Sequence, residues 1–358
     1  MRKSLTDFLI CPACKRGLLL KIFKESAGET EEGLLVCSCG QFFPITNYIP
    51  RILIGDLRPM LYGQFPDFFL KYKDFLPQEK VSQTTTKEAQ KKKETSESFA
   101  YEWQKFSKMI KEWKKNFDFY FEPVRSQVFL KDKTILEIGC GKGRHTFYAA
   151  KIAKEVIAVD FGKAVDVALL NNKDAHNIYF VQADIYNLPF RENRFDFVFS
   201  IGVLHHLPTP EQGFQKLVCL LKEGGGILIY VYHNFSKKMF NFYLLNFVNF
   251  FRRATIKLPH KALYVLCYPI AILSFLVFVL PYKIFFKNKI KGWPLGMYAE
   301  YPFEVILNDT FDRFSAPIEN RYSKEEILEW YKRAGLKNIK ILGGSGWRIF
   351  GDKIFNKI

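Results

Sequence analysis

Nothing at the start of this sequence reads as a secretory leader. MRKSLTDFLICPACK has no long apolar core and no small-residue cleavage site. Acidic residues are also short in number. Against 53 Lys and Arg stand 36 Asp and Glu, a net charge of +17 over 358 residues, which points to an anionic partner, either nucleic acid or an anionic membrane surface. Cysteine is sparse and unevenly placed. Four of the seven fall in two close pairs, a spacing suited to metal rather than to disulfides, and an intracellular, reducing compartment is the expectation. Apolar residues are nearly missing from SQTTTKEAQKKKETSES (82–98), which predicts a mobile tether. Charge is missing from the 21 positions of ALYVLCYPIAILSFLVFVLPY (262–282), long enough by itself to span a bilayer. Aromatic residues are abundant, at 17% with 37 Phe. The length suits a full core and about two domains.

What is present is organised around TILEIGCGKGR (134–144). Ile135, Leu136 and Ile138 read as a short buried strand. Gly139, Gly141 and Gly143 follow, then a helical run. Strand, glycine turn and helix make a nucleotide cradle, because glycines let the backbone turn tightly against a ligand and the helix start offers free N–H groups. The spacing is G-x-G-x-G, not the G-x-G-x-x-G of dinucleotide enzymes, and Glu137 sits two residues ahead of it. Asp160 ends a second strand, VIAVD, where a carboxylate can accept from both ribose hydroxyls. Asp184 ends a third, YFVQAD, and FDFVFSIGVLHHL (195–207) is a fourth.

These residues in this order resemble the class I S-adenosylmethionine (SAM)-dependent methyltransferases. The resemblance covers roughly residues 99–231 and the C-terminal part. It implies a Rossmann-like, doubly wound, mostly parallel α/β sheet of seven strands, with SAM held by Glu137, Gly139, Cys140, Gly141, Gly143, Asp160, Phe161, Asp184, Ile185 and Ser200. His205 and His206, after the fourth strand, stand beside the expected methyl position as candidate catalytic bases. His233, after the fifth strand, is a second candidate base, and Asp312, Arg313 and Tyr322 are candidate substrate contacts. Tyr101 and Trp103 lie in an F-x-Y-x-W segment that, in such enzymes, covers the SAM pocket; a helix packed through Phe99, Trp103 and Phe106 is the plainer reading.

Residues 1–55 form a separate unit. Cys11 and Cys14, then Cys37 and Cys39, flank a β-rich stretch and resemble the small zinc ribbons that accompany bacterial methyltransferases. Four thiolates suit tetrahedral Zn²⁺; a ribbon without metal is the alternative. The remaining divisions are a partly disordered linker (56–98) that decouples the ribbon, the SAM-binding fold (99–233), an apolar and basic helical insertion (234–310), and a completing segment (311–358) with a capping box at Ser323 and Glu326. Lys237, Lys238, Arg252, Arg253, Lys257, Lys261, Lys283, Lys287, Lys289 and Lys291 flank the apolar runs of the insertion. Since strands of one sheet lie on both sides of it, an in-plane element on an anionic leaflet is expected rather than a crossing; a packed lid is the alternative. Three functions follow. The first is a methyltransferase acting on a small-molecule, hydrophobic or lipid-linked acceptor, cytoplasmic and peripheral on the inner face of a membrane. The second is an RNA methyltransferase, against which the N-P-P-Y/F motif is absent after the fourth strand. The third is a non-catalytic scaffold.

Overall fold

A computed structural model describes residues 1–78, 86–124, 127–234, 240–286 and 293–354. One eleven-stranded sheet runs through them. The first four strands form an antiparallel meander: β1 (Leu19–Ser26), β2 (Glu29–Val36), β3 (Phe42–Thr46) and β4 (Ile49–Ile52). β1 is the exposed edge, and its Lys21 and Lys24 discourage pairing with another chain. β3 and β4 are buried along their whole length. Two short helices follow, α1 (Pro59–Gln64) and α2 (Pro66–Lys71), each begun by a proline, which costs nothing in a first turn that lacks an N–H partner.

The polar stretch expected to be a mobile tether is instead most of a helix, α3 (Lys87–Lys105); positions 79–85 lie outside the described residues. Thr86 caps it, accepting from the Ala89 N–H at 3.2 Å. Lys, Glu, Gln and Ala are strong helix formers, and Glu88–Lys92 and Lys93–Glu97 pair one turn apart. Its buried side is made of the small residues Ala89, Thr95, Ser96 and Ser98 together with Glu102, so it packs closely without a large apolar stripe. α4 (Trp113–Phe121) then covers the sheet with Trp113, Phe117 and Phe121.

The doubly wound part alternates as the pattern predicts: β5 (Thr134–Ile138), α5 (Arg144–Ala150), β6 (Glu155–Asp160), α6 (Ala164–Asn171), β7 (Ile178–Ala183), β8 (Phe195–Ile201), α7 (Pro210–Leu220) and β9 (Leu221–Tyr232). β5 is buried throughout, as a central parallel strand must be. β9 begins ahead of Gly224–Gly226. These glycines belong to the strand, and a Cβ at Gly226 would stand 2.7 Å from the Phe350 ring.

Next comes the insertion: α8 (Phe240–Thr255), α9 (His260–Ser274), a π turn (Phe275–Val279), α10 (Leu280–Ile284) and α11 (Phe303–Ser315). The run His260–Ile284 is a continuous helix long and apolar enough, by length and composition, to cross a membrane. Its π turn precedes Pro281, whose ring crowds the preceding turn and which has no N–H to give. α11 straddles the expected boundary at 310. Lys237, Lys238, Lys287, Lys289 and Lys291 lie outside the described residues.

α12 (Lys324–Arg333) carries the expected capping box between Ser323 and Glu326. β10 (Lys337–Leu342) and β11 (Gly346–Asp352) close the sheet, in the order β7-β6-β5-β8-β9-β11-β10, parallel except for β11, which is antiparallel to both neighbours. That seven-stranded, mostly parallel sheet is the expected Rossmann-like fold.

The N-terminal unit is not decoupled. β4 pairs with β7 in parallel, Arg51 opposite Gln182 and Ile52 opposite Ala183. The Arg2 guanidinium donates to the Ile178 carbonyl, and the Ile10 N–H donates to the Pro189 carbonyl at 2.9 Å. Leu5, Phe8 and Leu9 share one apolar core with Val181, Phe190 and Phe195. An unpaired β7 edge and this buried surface together outweigh the independence that a linker would allow.

Candidate active site

The carboxyl ends of β5, β6, β7 and β8 open on a single cleft. Gly139, Gly141 and Gly143 all have positive φ, at 77°, 53° and 80°, where a side chain is strained. Each also meets a neighbour at close range. A Cβ at Gly139 would stand 2.1 Å from Val203, one at Gly141 3.0 Å from Trp103, and one at Gly143 2.4 Å from Asn172. The turn is therefore a cradle that only glycine can build, and it fits SAM.

Asp160 locks this turn. Its two carboxylate oxygens accept from the Gly141 and Gly162 N–H groups, each at 2.9 Å, leaving lone pairs for ribose hydroxyls. Burial pushes its carboxyl above the usual range, and the backbone N–H groups oppose that. Asp184 is raised likewise by burial, against the pull of Lys92, whose Nζ lies 3.5 Å away. Gly139, Cys140, Gly141, Asp160, Phe161, Asp184, Ile185 and His206 all line the cleft.

Four expected residues do not. Glu137 turns toward α5, where its carboxylate accepts from the Thr146 hydroxyl. Gly143 faces Asn172 and Ala168 of α6. The Ser200 hydroxyl donates to the Ile138 carbonyl at 3.0 Å, tying β8 to the end of β5. His205 is fully buried and stacks on Tyr232 with ring centroids 3.9 Å apart; burial drives its imidazole well below its ordinary pKa. Of these four, only Glu137 and Ser200 lie on strands, where neighbouring side chains point to opposite faces; Gly143 caps α5 and His205 sits in a turn after β8.

Of the two candidate bases, His206 is the one at the cleft. Its Nδ1 lies 2.6 Å from the Ile318 carbonyl. A carbonyl can only accept, so Nδ1 carries the proton, and in the neutral ring Nε2 keeps the lone pair. Its ring meets Phe99 edge-on at 4.9 Å. Of the proposed lid pair, Trp103 lines the cleft, while Tyr101 packs on His260 and Phe311. His233 and Tyr322 form a bridge between the end of β9 and the returning chain.

Other cleft residues come from outside the motif. α3 contributes Lys92, Thr95, Ser96 and Phe99, and α5 begins with Arg144 and His145. Burial, reinforced by Arg144, lowers the Lys142 ammonium to about 7, and its Nζ donates to the carbonyls of Phe106 and Lys108 at 2.7 and 3.1 Å. The helix signals in 86–105, a threonine cap and alternating charge pairs, were the available clue to α3.

The four N-terminal cysteines also converge. All four Sγ atoms lie within 4.8 Å of one another, with Cys11 and Cys39 at 3.7 Å and Cys14 and Cys37 at 3.3 Å. Tetrahedral Zn–S bonds of about 2.3 Å place sulfurs about 3.8 Å apart, so the C-x-C pair completes a set that could hold zinc. Left-handed Lys15 and Gly40 shape the two knuckles.

Residues 136–229 match the family model described as a methyltransferase domain. A demethylmenaquinone methyltransferase from Staphylococcus saprophyticus is 28% identical over 59% of this chain and 73% of its own length. A tRNA U34 carboxymethyltransferase from Aliarcobacter butzleri is 30% identical over 33% of this chain and 39% of its own. An uncharacterized Synechococcus protein is 34% identical over 27% and 25%. The chain thus spans well under two thirds of two of these three relatives. Among solved structures, a SAM-dependent methyltransferase from Aquifex aeolicus is similar with a TM-score of 0.37 at 15% identity, over 69% of this chain and 100% of that one. The cradle, the acids at the strand ends and the family match together show that this chain carries a class I SAM-dependent methyltransferase domain.

Proposed function

We propose that this chain is a zinc-bearing SAM-dependent methyltransferase that acts on a hydrophobic or lipid-linked small molecule at an anionic membrane surface, on the inner, cytoplasmic face. One observation carries the membrane part. The helical run His260–Ile284 packs one side on α11, through Leu263, Cys267 and Ala271, and leaves the other in the open. Leu273, Val265 and Phe285 are 64–75% exposed. Only 22% of its most apolar stretch is buried, a poor fit for a packed lid. β9 precedes this run and β10 and β11 follow it in one sheet, so its ends stay on one side, as in-plane insertion requires. Arg253, Lys257, Lys261 and Lys283 are exposed around it. Each cation near an anionic surface contributes about 1 kcal/mol, and each large apolar side chain about 1.5–3 kcal/mol if fully desolvated.

At the cleft, Asp160 would accept from the ribose hydroxyls of SAM, and the Asp184–Ile185 segment would hold the adenine edge. SAM supplies an electrophilic methyl group. The chain supplies position, a dry wall from Phe99 and Trp103, and His206 Nε2 to take the proton of an O- or N-nucleophile. The net charge of +17 also suits RNA, which the Aliarcobacter relative's name involves; the exposed apolar run favours lipid.

Two measurements test this. Asp160→Ala removes ribose bonds and loosens the Gly141 turn, so calorimetry should show SAM affinity weaker by roughly 2–4 kcal/mol; unchanged affinity defeats the cofactor reading. With phosphatidylglycerol vesicles the full chain should pellet at low salt, leave partly in high salt and leave completely only in detergent. Protein that stays in the supernatant while binding tRNA turns the assignment to RNA.

A further inference from the structure

Three Lys and Arg residues line the cleft, Lys92, Lys142 and Arg144. Two of them are already engaged. Lys92 pairs with Asp184 at 3.5 Å. Lys142 is 4% exposed, and its Nζ donates to the carbonyls of Phe106 and Lys108. Arg144 differs. It is half-buried, and its guanidinium makes no hydrogen bond or ion pair among the described residues. Two indole rings hold it instead. The guanidinium lies over Trp113 at 4.8 Å and over Trp103 at 5.4 Å. Such stacking steadies the group and leaves its N–H donors unused. Two acids that feel its charge, Glu102 and Glu137, are pushed by burial toward their neutral forms, so neither cancels it.

A second donor stands beside it. Trp103 is half-buried, and its indole N–H has no acceptor among the described residues. That edge of the ring faces the glycine turn, since a Cβ at Gly141 would stand 3.0 Å from Nε1. The Gly141 N–H in turn donates to Asp160 at 2.9 Å. Guanidinium and indole N–H thus stand next to the residue assigned to the ribose, and both residues line the open cleft, where a ligand can reach them. The chemistry of SAM supplies the match. Its one anionic group is the α-carboxylate of the methionine arm. Base and arm leave opposite ends of the ribose ring. With adenine at Asp184–Ile185 and ribose at Asp160, the arm runs away from the adenine, over the Gly139–Gly141 floor toward these donors. A carboxylate fits the planar guanidinium fork and keeps lone pairs for a further N–H.

We propose that the Arg144 guanidinium and the Trp103 indole N–H clamp the α-carboxylate of SAM, and that this clamp makes the cleft select cofactors that carry the carboxylate. The inference rests on the SAM reading above. Its test uses the full chain, titration calorimetry and two ligands that differ by one group, SAM and S-adenosylmethioninamine, its decarboxylated form. The parent protein should bind SAM at least about tenfold more tightly than the decarboxylated ligand, as for the loss of a charge-assisted pair. A preference below about threefold overturns the clamp. Arg144→Met should weaken SAM at least about tenfold and leave the decarboxylated ligand within about threefold of its parent affinity. The preference then disappears; one that persists overturns the assignment to Arg144. Should that variant not fold, Arg144→Lys keeps the charge and loses the fork, and it should cut the preference at least about threefold. An unchanged preference there overturns the same assignment. Trp103→Phe keeps a ring and removes the N–H, so it should weaken SAM more than the decarboxylated ligand; equal effects on both overturn the indole's part. SAM that binds without discrimination sinks the clamp alone, whereas binding of neither ligand to the parent protein is failure of the cofactor reading.

Discussion

Burial holds the Glu137 carboxyl up at about 8, with the Thr146 hydroxyl opposing the rise and the nearby Asp160 adding to it. This acid is more readily protonated in the folded chain than in the unfolded one. Its contribution to stability is therefore fully present below about 4.5 and is lost as pH rises through about 8. Glu137→Gln keeps the shape and removes the titration. The expected result is a melting temperature that falls less steeply than that of the parent protein between pH 5 and 8, and is higher at pH 9. Parallel slopes in calorimetric melts would show that the carboxyl does not titrate in this window. That Glu137 belongs to the motif was legible in the sequence, since it stands two residues from Gly139. That it serves α5 and not the cleft was not, because the direction of a side chain near a strand end depends on where the turn breaks the alternation. His205 and His206 pose the same difficulty: adjacent and chemically alike, they are separated by which one meets the Ile318 carbonyl, 112 residues away.

Elements differ in how far their causes lie from them. The β5 turn, α5 and the Ser323 cap are local in origin, and spacing alone locates them. α3 has local helix signals too, but its fate depends on a partner. Small residues let it lie close to the β6–α6 turn, where a Cβ at Gly162 would stand 2.6 Å from the Ser96 hydroxyl, and Lys92 reaches Asp184. Read by composition, the stretch looks like a tether; read by packing, it is a wall of the cleft. The two descriptions predict different outcomes for Glu94, which is exposed. Glu94→Pro removes a helix hydrogen bond and crowds the preceding turn, at roughly 3 kcal/mol, while Glu94→Ala leaves the helix intact. If α3 is a wall, titration calorimetry should show SAM affinity at least about tenfold weaker in Glu94→Pro alone, a loss of about 1.4 kcal/mol, with the main melting transition little changed. If the stretch were a solvated tether, neither substitution would change affinity.

At the scale of the whole molecule, the ribbon and the SAM fold share a sheet edge, and no local pattern could have revealed it. β4 is four residues long, and its partner β7 is more than a hundred residues away. The join is also charged. Arg51, fully buried, reaches both carboxylate oxygens of Asp166 on α6, at 3.0 and 2.6 Å. It also donates to Gln182 at 3.3 Å, and Gln182 in turn donates to the Phe161 carbonyl, next to Asp160, at 3.0 Å. A disturbance at the cysteines thus has a short physical route to Asp160. If the ribbon were a separate bead, chelation would melt it alone and leave SAM binding untouched. With the shared edge, and zinc held by Cys11, Cys14, Cys37 and Cys39 as proposed, stripping it should lower SAM affinity and the main melting temperature together. Restoring zinc should recover both. Arg51→Met tests the route without touching the metal. It leaves Asp166 facing a protein wall without its counter-charge, which costs about 3 kcal/mol for a pair this buried, somewhat less because Asp166 is 23% exposed. Adding Asp166→Leu removes the uncompensated charge, so the double variant should regain much of the lost stability while zinc content stays at the parent level. Thermal melts in which chelation leaves the main transition in place, and in which the second substitution restores nothing, would return the ribbon to the status of an independent unit.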